Sequence, residues 1–142
     1  MSAALESTPR IELLAAETRR GETWENQASG RALDRMGGAL GFSGAPELIK
    51  AARGGNAAAA KSVSLWFDRL ALGIASIISV LDPQLVLLTG GVSREGDWFI
   101  DNLRRRVASM TSPSTADVNI QLSRFDTRAV AYGALISAKG GE

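Results

Sequence analysis

The sequence contains no cysteine and no histidine, and it has a single tyrosine. Without cysteine the chain can form no disulfide and no thiolate nucleophile, and without either residue type an ordinary zinc site is excluded. The absence of histidine also removes the imidazole base of a Ser-His-Asp triad. Any acid–base chemistry is therefore left to carboxylates, lysine, the tyrosine or backbone groups.

The sequence also has no large excess of charge of one sign, because its 16 Lys and Arg residues are nearly balanced by 15 Asp and Glu. The net charge of +1 gives no electrostatic reason to expect nucleic acid or an anionic membrane as a partner. The one dense basic cluster, 104–106, falls in an amphipathic helical pattern, and we expect it to form a solvated face rather than a phosphate or acidic-partner contact.

The sequence shows no segment of the kinds that direct a chain to or across a membrane. The longest run of low charge, 70–81, is too short to span a bilayer. The N-terminus has no basic stretch before an apolar core, which a secretory signal requires. We therefore expect no membrane partner and a cytoplasmic protein.

Apolar residues recur at helical spacing along most of the chain, whose 142 residues fit one domain. Asn56 is a candidate N-cap for the longest helix, and Asp82-Pro83 is its stop signal. Because only Ser76 and Ser79 are polar beyond Leu70, we expect the second half of that helix to be buried all round. The predicted helices cover residues 11–20, 24–40, 46–53, 57–81, 96–110 and 128–139.

Two segments are predicted strands. The run 85–89 is apolar without alternation, which is typical of a parallel strand covered on both faces. Residues 118–123 alternate and indicate a strand with one wet face or an edge strand. We predict that the two pair in parallel through the helix at 96–110. Two strands make a marginal sheet, so the pattern indicates a piece of a larger α/β fold or a chain completed by a partner.

Gly90 and Gly91 follow the first strand at its carboxyl end. In α/β domains ligands usually bind there, and the next helix points its free N–H groups toward them. Glycine has no Cβ, so a base or a ribose can approach the backbone closely. The alternative is a tight strand-to-helix turn that binds nothing.

Three groups of residues, in order along the chain, resemble one known family. The first group is Trp24-Glu25 with 28–33. The second consists of Leu81-Asp82-Pro83, Gly90-Gly91-Val92-Ser93 and Gly96-Asp97. The third is 131–135. This pattern resembles the C-terminal part of the ROK family (repressor, open reading frame, kinase), with the glucokinase-like branch nearest. The resemblance implies the α/β, ribonuclease H-like C-terminal lobe of an actin-like ATPase or sugar-kinase fold, helix-rich with a small parallel sheet and incomplete.

The resemblance also implies site residues. Gly90, Gly91 and Val92 correspond to the adenosine-contacting wall of the family's ATP site. Glu25 corresponds to a glutamate that binds sugar hydroxyls, and its alternative role is to interact with the dipole of its helix. The implied ligands of an intact relative are ATP with magnesium and a hexose or related sugar. No catalytic and no metal-binding residue is assigned in this chain.

Parts of the family pattern have no counterpart in this sequence. The phosphate-binding loop and the catalytic aspartate lie in an N-terminal half that is missing here. Residues 18–23, at the place of the family's zinc motif, include no Cys or His. We therefore expect no zinc and no kinase activity from this chain alone. We divide it into an N-terminal extension, partly helical, at 1–21 and a ROK C-terminal lobe at 22–142.

Three functions remain open. The chain is the C-terminal lobe of a sugar kinase, the sugar-sensing effector lobe of a ROK-type transcriptional repressor, or a degenerate module that works through assembly. A strand that lacks neighbours leaves backbone groups open. We therefore expect a homo-oligomer.

Overall fold

The computed structural model describes residues 23–113 and 118–123. The helices in these ranges are α1 (Trp24–Ala28), α2 (Gly30–Ala39), α3 (Ala45–Arg53), α4 (Ala57–Leu81) and α5 (Gly96–Met110). The strands are β1 (Leu85–Leu88) and β2 (Asn119–Leu122), and a 3-10 helix covers Gly91–Glu95. The predicted helices at 11–20 and 128–139 lie outside the described residues.

The prediction of one helix over residues 24–40 is wrong, because the chain breaks at Ser29. This residue has an extended backbone, with φ −73° and ψ 165°. Its N–H donates to the carbonyl of Glu25 and closes α1, while its side chain accepts from the N–H of Ala32 and begins α2. A serine that caps a helix in this way favours a new start over continuation.

Helix α4 has the predicted bounds. The side chain of Asn56 accepts from the N–H of Ala59 at 2.9 Å, and Asp82 ends the helix with a left-handed φ of 44°. The core forms around its buried face, which packs against α1, α2, α3 and α5. The largest fully buried side chains of the described part include Trp66, Phe67 and Ile78.

The prediction that the second half of α4 is buried all round is wrong. Ile77, Val80 and Leu81 are exposed, Val80 by 80%. With 25 residues, α4 is long and apolar enough to cross a membrane by length and composition, which the uncharged run 70–81 alone did not predict. A core helix of a soluble protein has the same properties, and this one carries the buried Asp68 on its packed face.

Asp68 and Arg106 join α4 to α5. The guanidinium of Arg106 lies 3.0 Å from the Asp68 carboxylate and donates to Ser64 Oγ at 2.9 Å. It also lies over the ring of Phe67, 5.2 Å from its centroid. The prediction that residues 104–106 form a solvated face is therefore wrong for Arg106, whose side chain is only 20% exposed.

Strands β1 and β2 pair in parallel, as predicted, with Leu85 opposite Asn119 and Leu88 opposite Leu122. Helix α5 packs against β2, where Arg104 donates twice to the carbonyl of Ile120, at 2.9 and 2.6 Å. The prediction that β1 is covered on both faces does not hold within the described residues. There Leu85 and Leu87 are 45% and 57% exposed.

Candidate nucleotide cleft

A cleft of about 720 Å³ lies at the carboxyl end of β1. Part of its lining comes from the end of the strand and the 3-10 helix, namely Leu88, Thr89, Gly90, Gly91, Arg94 and Glu95. The break between α1 and α2 contributes Ser29 and Gly30, and the α2–α3 pair contributes Asp34 and Pro46. Trp66 and Leu70 of α4 and Phe99 of α5 form the apolar part of the lining, and of these three only Leu70 is more than a few per cent exposed.

The two glycines present open backbone to this cleft. Gly90 has a φ of +117°, a conformation that side-chain-bearing residues rarely adopt. A Cβ placed on Gly90 or Gly91 would meet no heavy atom of the described residues within 4 Å. At Gly90 the backbone conformation therefore requires glycine, and at Gly91 the space beside the backbone is free for a ligand.

Trp66 fixes the break between α1 and α2 at the cleft. Its indole N–H donates to the carbonyl oxygen of Ser29 at 3.0 Å. The ring is 2% exposed and meets Phe67 edge-on, with 5.1 Å between ring centroids. Because the aromatic packing locks the tryptophan, the hydrogen bond holds the Ser29–Gly30 backbone in one position.

Asp34 anchors the start of α3. Its Oδ1 accepts the N–H of Ala45 at 2.8 Å. The N-cap residue of α3, Gly44, has no side chain for this purpose, so Asp34 satisfies one of the N–H groups that a helix start leaves unpaired. Asp34 was not predictable from the sequence, because its partner lies eleven residues further along the chain.

A second carboxylate at the start of α3 is Glu47. Its Oε2 accepts the N–H of Ser43 at 2.7 Å. This backbone hydrogen bond stabilises the charged form and, with a weaker contribution from Lys50, lowers the pKa of Glu47 below its ordinary value of 4.5. The two carboxylates together fix the loop that leads into α3.

A charged pair connects α3 to the 3-10 helix beside the cleft. Arg53 lies 3.5 Å from the carboxylate of Glu95, and its guanidinium lies 5.3 Å from the ring centroid of Trp98. Both charged side chains are partly exposed, at 52% and 27%, so the pair contributes little stability. The pair matters for position, because Arg53 holds the carboxylate of Glu95 in the lining of the cleft.

The predicted site residues lie in two places. Gly90 and Gly91 line the cleft, and Val92 follows them in the 3-10 helix. Glu25 lies in the exposed first turn of α1 and is not among the lining residues. Within residues 23–113 and 118–123, no group of three His, Cys, Asp or Glu side chains is arranged to hold a metal ion.

The helices around α4 and the parallel pair of β1 and β2 form a lobe of the actin-like ATPase fold, as comparison with a solved structure shows. A ROK family glucokinase from Streptomyces griseus, solved in complex with glucose and AMPPNP, matches it with a TM-score of 0.69. The sequences are 24% identical, and the match covers 83% of this chain and 45% of that one. The family model of ROK matches residues 18–140, so the chain belongs to the ROK family.

Curated relatives agree with this assignment. A glucokinase from Thermotoga maritima is 31% identical over 80 residues, which are 56% of this chain and 25% of that protein. A glucokinase from Pyrobaculum calidifontis is 36% identical over 47 residues, 33% of this chain and 16% of that protein. The matched region thus spans at most about a quarter of these relatives. The ROK resemblance of the three motif groups is confirmed.

Proposed function

We propose that this chain is the C-terminal lobe of a ROK-type, ATP-dependent sugar kinase of the glucokinase-like branch. Gly90, Gly91 and Val92 form part of the adenosine wall, and Glu25 supplies one contact to a hexose or related sugar. In the complete kinase an aspartate outside this sequence takes a proton from a sugar hydroxyl, which then receives the γ-phosphoryl group of Mg-ATP. We place the protein in the cytoplasm.

The observation that carries this proposal is the cleft beside Gly90 and Gly91. Its volume of about 720 Å³ is in the range that small-molecule sites occupy. The partly exposed Leu70 offers apolar surface for a flat base, while the glycines let a ribose approach the backbone. Magnesium is not assigned to residues of this chain, and in the complete kinase it accompanies the phosphates of ATP.

Titration calorimetry with AMPPNP and the pure chain tests the nucleotide site. We expect saturable binding that Gly91→Val abolishes, because the added side chain fills the space where the ligand meets the backbone. Gly38→Val is the matched control, since Gly38 also has no neighbour within 4 Å and does not line the cleft. Absence of binding, or equal loss in both variants, would contradict the proposal.

The same chain is expected to bind nucleotide without transferring phosphate. In a coupled assay with ATP and glucose, we therefore expect both the wild-type chain and Glu25→Ala to show the same ATP turnover as a reaction without protein. Sugar-dependent ATP turnover above that of Glu25→Ala would overturn this expectation.

The sequence encoded upstream of Met1 separates the kinase from the repressor alternative. A helix-turn-helix supports the repressor, and a Gly-rich Asp-x-Gly-x-Thr turn supports the kinase.

A specific observation also favours self-association. Five large apolar side chains at the end of α4 and on β1 are between 41% and 80% exposed: Ile77, Val80, Leu81, Leu85 and Leu87. Such exposure along one helix end and the adjoining strand is typical of interaction surfaces. We propose that the chain forms a homo-oligomer.

A further inference from the structure

The carboxylate of Asp34 is held in a fixed orientation at the cleft. Its Oδ1 is engaged by the N–H of Ala45 at 2.8 Å. A Cβ on Gly44 would come within 3.1 Å of this oxygen, so the close approach depends on the glycine. A carboxylate accepts hydrogen bonds at both oxygens. Oδ2 has no partner among residues 23–113 and 118–123 and remains available to a ligand.

The other charged groups of the cleft differ from Asp34. Glu95 is paired with Arg53, at 3.5 Å. The partner of Asp34 Oδ1 is a neutral amide, so its negative charge is not balanced by a cation in the same contact. Arg94 is the one cation among the described lining residues. With Asp34 and Glu95 present, this lining carries no excess of positive charge for a polyphosphate.

A carboxylate oxygen of this kind is suited to a ligand that donates hydrogen bonds. Hydroxyl groups donate readily to carboxylates, and such charge-assisted hydrogen bonds are stronger than neutral ones. Phosphate groups carry negative charge and are repelled at short range. The lining near Asp34 therefore favours the sugar of a nucleoside over its phosphates. The partly exposed side chain of Leu70 provides apolar surface for the base.

We propose that Asp34 determines specificity for ribose, with Oδ2 accepting hydrogen bonds from the ribose hydroxyls of a nucleotide bound against Gly90 and Gly91. This inference rests on the proposed function, since it requires a nucleotide in the cleft. The phosphates then extend away from Asp34. The role is that of a binding residue, which acts on nucleotide affinity and has no part in the chemical step.

The test compares ADP with 2′,3′-dideoxy-ADP, which lacks both ribose hydroxyls, by titration calorimetry on the full chain. Asp34→Asn keeps an oxygen for the N–H of Ala45 but removes the charge. We expect it to weaken ADP binding about tenfold or more, since a hydrogen bond to a charged group is lost. Binding of the dideoxy analogue should stay within about twofold. Asp101→Asn, an exposed carboxylate outside the cleft, should change neither affinity.

The outcomes separate this inference from the function on which it rests. If the wild-type chain binds neither nucleotide, the proposed function fails and the role of Asp34 fails with it. If the chain binds ADP but Asp34→Asn affects both ligands equally or neither, only the role of Asp34 is overturned. Should the variant not fold, the wild-type chain still decides, because equal affinity for ADP and its dideoxy analogue overturns the proposal.

Discussion

The indole N–H of Trp66 donates to the carbonyl oxygen of Ser29, at 3.0 Å, and joins residues 37 positions apart. Ser29 is the point where α1 ends and α2 begins, and its carbonyl oxygen is part-buried. The same tryptophan lies in the wall of the cleft, although it is only 2% exposed. One side chain therefore both shapes the candidate nucleotide site and fixes the backbone break at its border.

Trp66→Phe removes the donor and keeps an aromatic ring. The carbonyl of Ser29 then lacks its partner, and we expect a loss of about 2 kcal/mol in the free energy of unfolding. Urea denaturation measures it, with Trp98→Phe as the control. The indole of Trp98 donates no hydrogen bond within the described ranges and its ring is only partly buried. Equal stability of Trp66→Phe and wild type would show that the hydrogen bond contributes nothing.

Gly73 allows the ring of Trp24 to rest on α4. A Cβ at this position would lie 2.0 Å from Trp24 Cε2, and the indole N–H donates to the carbonyl of Arg69 at 3.0 Å. We expect Gly73→Ala to displace α1 and to cost about 1–3 kcal/mol, as overpacking does. Because α1 carries Glu25, displacement of this helix also moves the side chain that we propose to contact the sugar. Urea denaturation reports the change in stability.

A second background makes the steric origin testable. In a Trp24→Ala chain the obstacle is gone, and alanine is favoured over glycine in a helix by about 1 kcal/mol. Gly73→Ala should therefore stabilise the Trp24→Ala chain although it destabilises the wild type. The same cost in both backgrounds would exclude the contact between Trp24 and Gly73 as its cause.

The buried face of α4 is expected to carry much of the stability. Ile78 is fully buried, so Ile78→Ala should cost about 2–5 kcal/mol through lost transfer free energy and the cavity left behind. Ser76, two residues earlier, is exposed and donates to the carbonyl of Leu72. Ser76→Ala should cost far less. Thermal melts that place Ile78→Ala within error of wild type would show that this face is not packed.

The lowered pKa of Glu47 gives a pH dependence with a defined sign. The N–H of Ser43 stabilises the carboxylate, so the folded state holds its proton less tightly than the unfolded state. The resulting stability is present above the ordinary value of 4.5 and is lost as the pH falls through the lowered pKa. NMR titration should place the Glu47 pKa below 4.5, and Glu47→Gln should flatten the acid limb of stability. A pKa at or above 4.5 would contradict the hydrogen bond.

Features that depend on neighbouring residues were predictable from the sequence. Asn56 and Asp82-Pro83 indicated both ends of α4, and the alternation around Ile120 indicated β2. The glycines after β1 indicated where the cleft lies. Each of these signals acts within a few residues, through capping, backbone geometry or the side-chain period of a strand.

Features that depend on distant partners were not predictable in this way. Asp34 became interpretable only when the fold placed it against Ala45, and Arg106 only when the fold placed it against Asp68. The break at Ser29 had a local signal, a serine followed by glycine, but it lies inside an apolar pattern that continues across it. The exposure of Leu87 depends on which neighbours β1 has, which its own residues do not specify.

Self-association is expected from the exposed apolar surface at the end of α4 and on β1. Val80 is 80% exposed and Leu87 57%, and burial of such side chains between two copies removes apolar surface from water. A specific interface should bury more than about 1,000 Å² in total. Light scattering at micromolar concentration should then give about twice the chain mass of 15.0 kDa. Val80→Lys should shift the chain toward the monomer, whereas Asp101→Asn, on the exposed surface of α5, should not. A monodisperse 15.0 kDa species in the wild-type chain would refute self-association and show that this surface stays open or is covered within the chain.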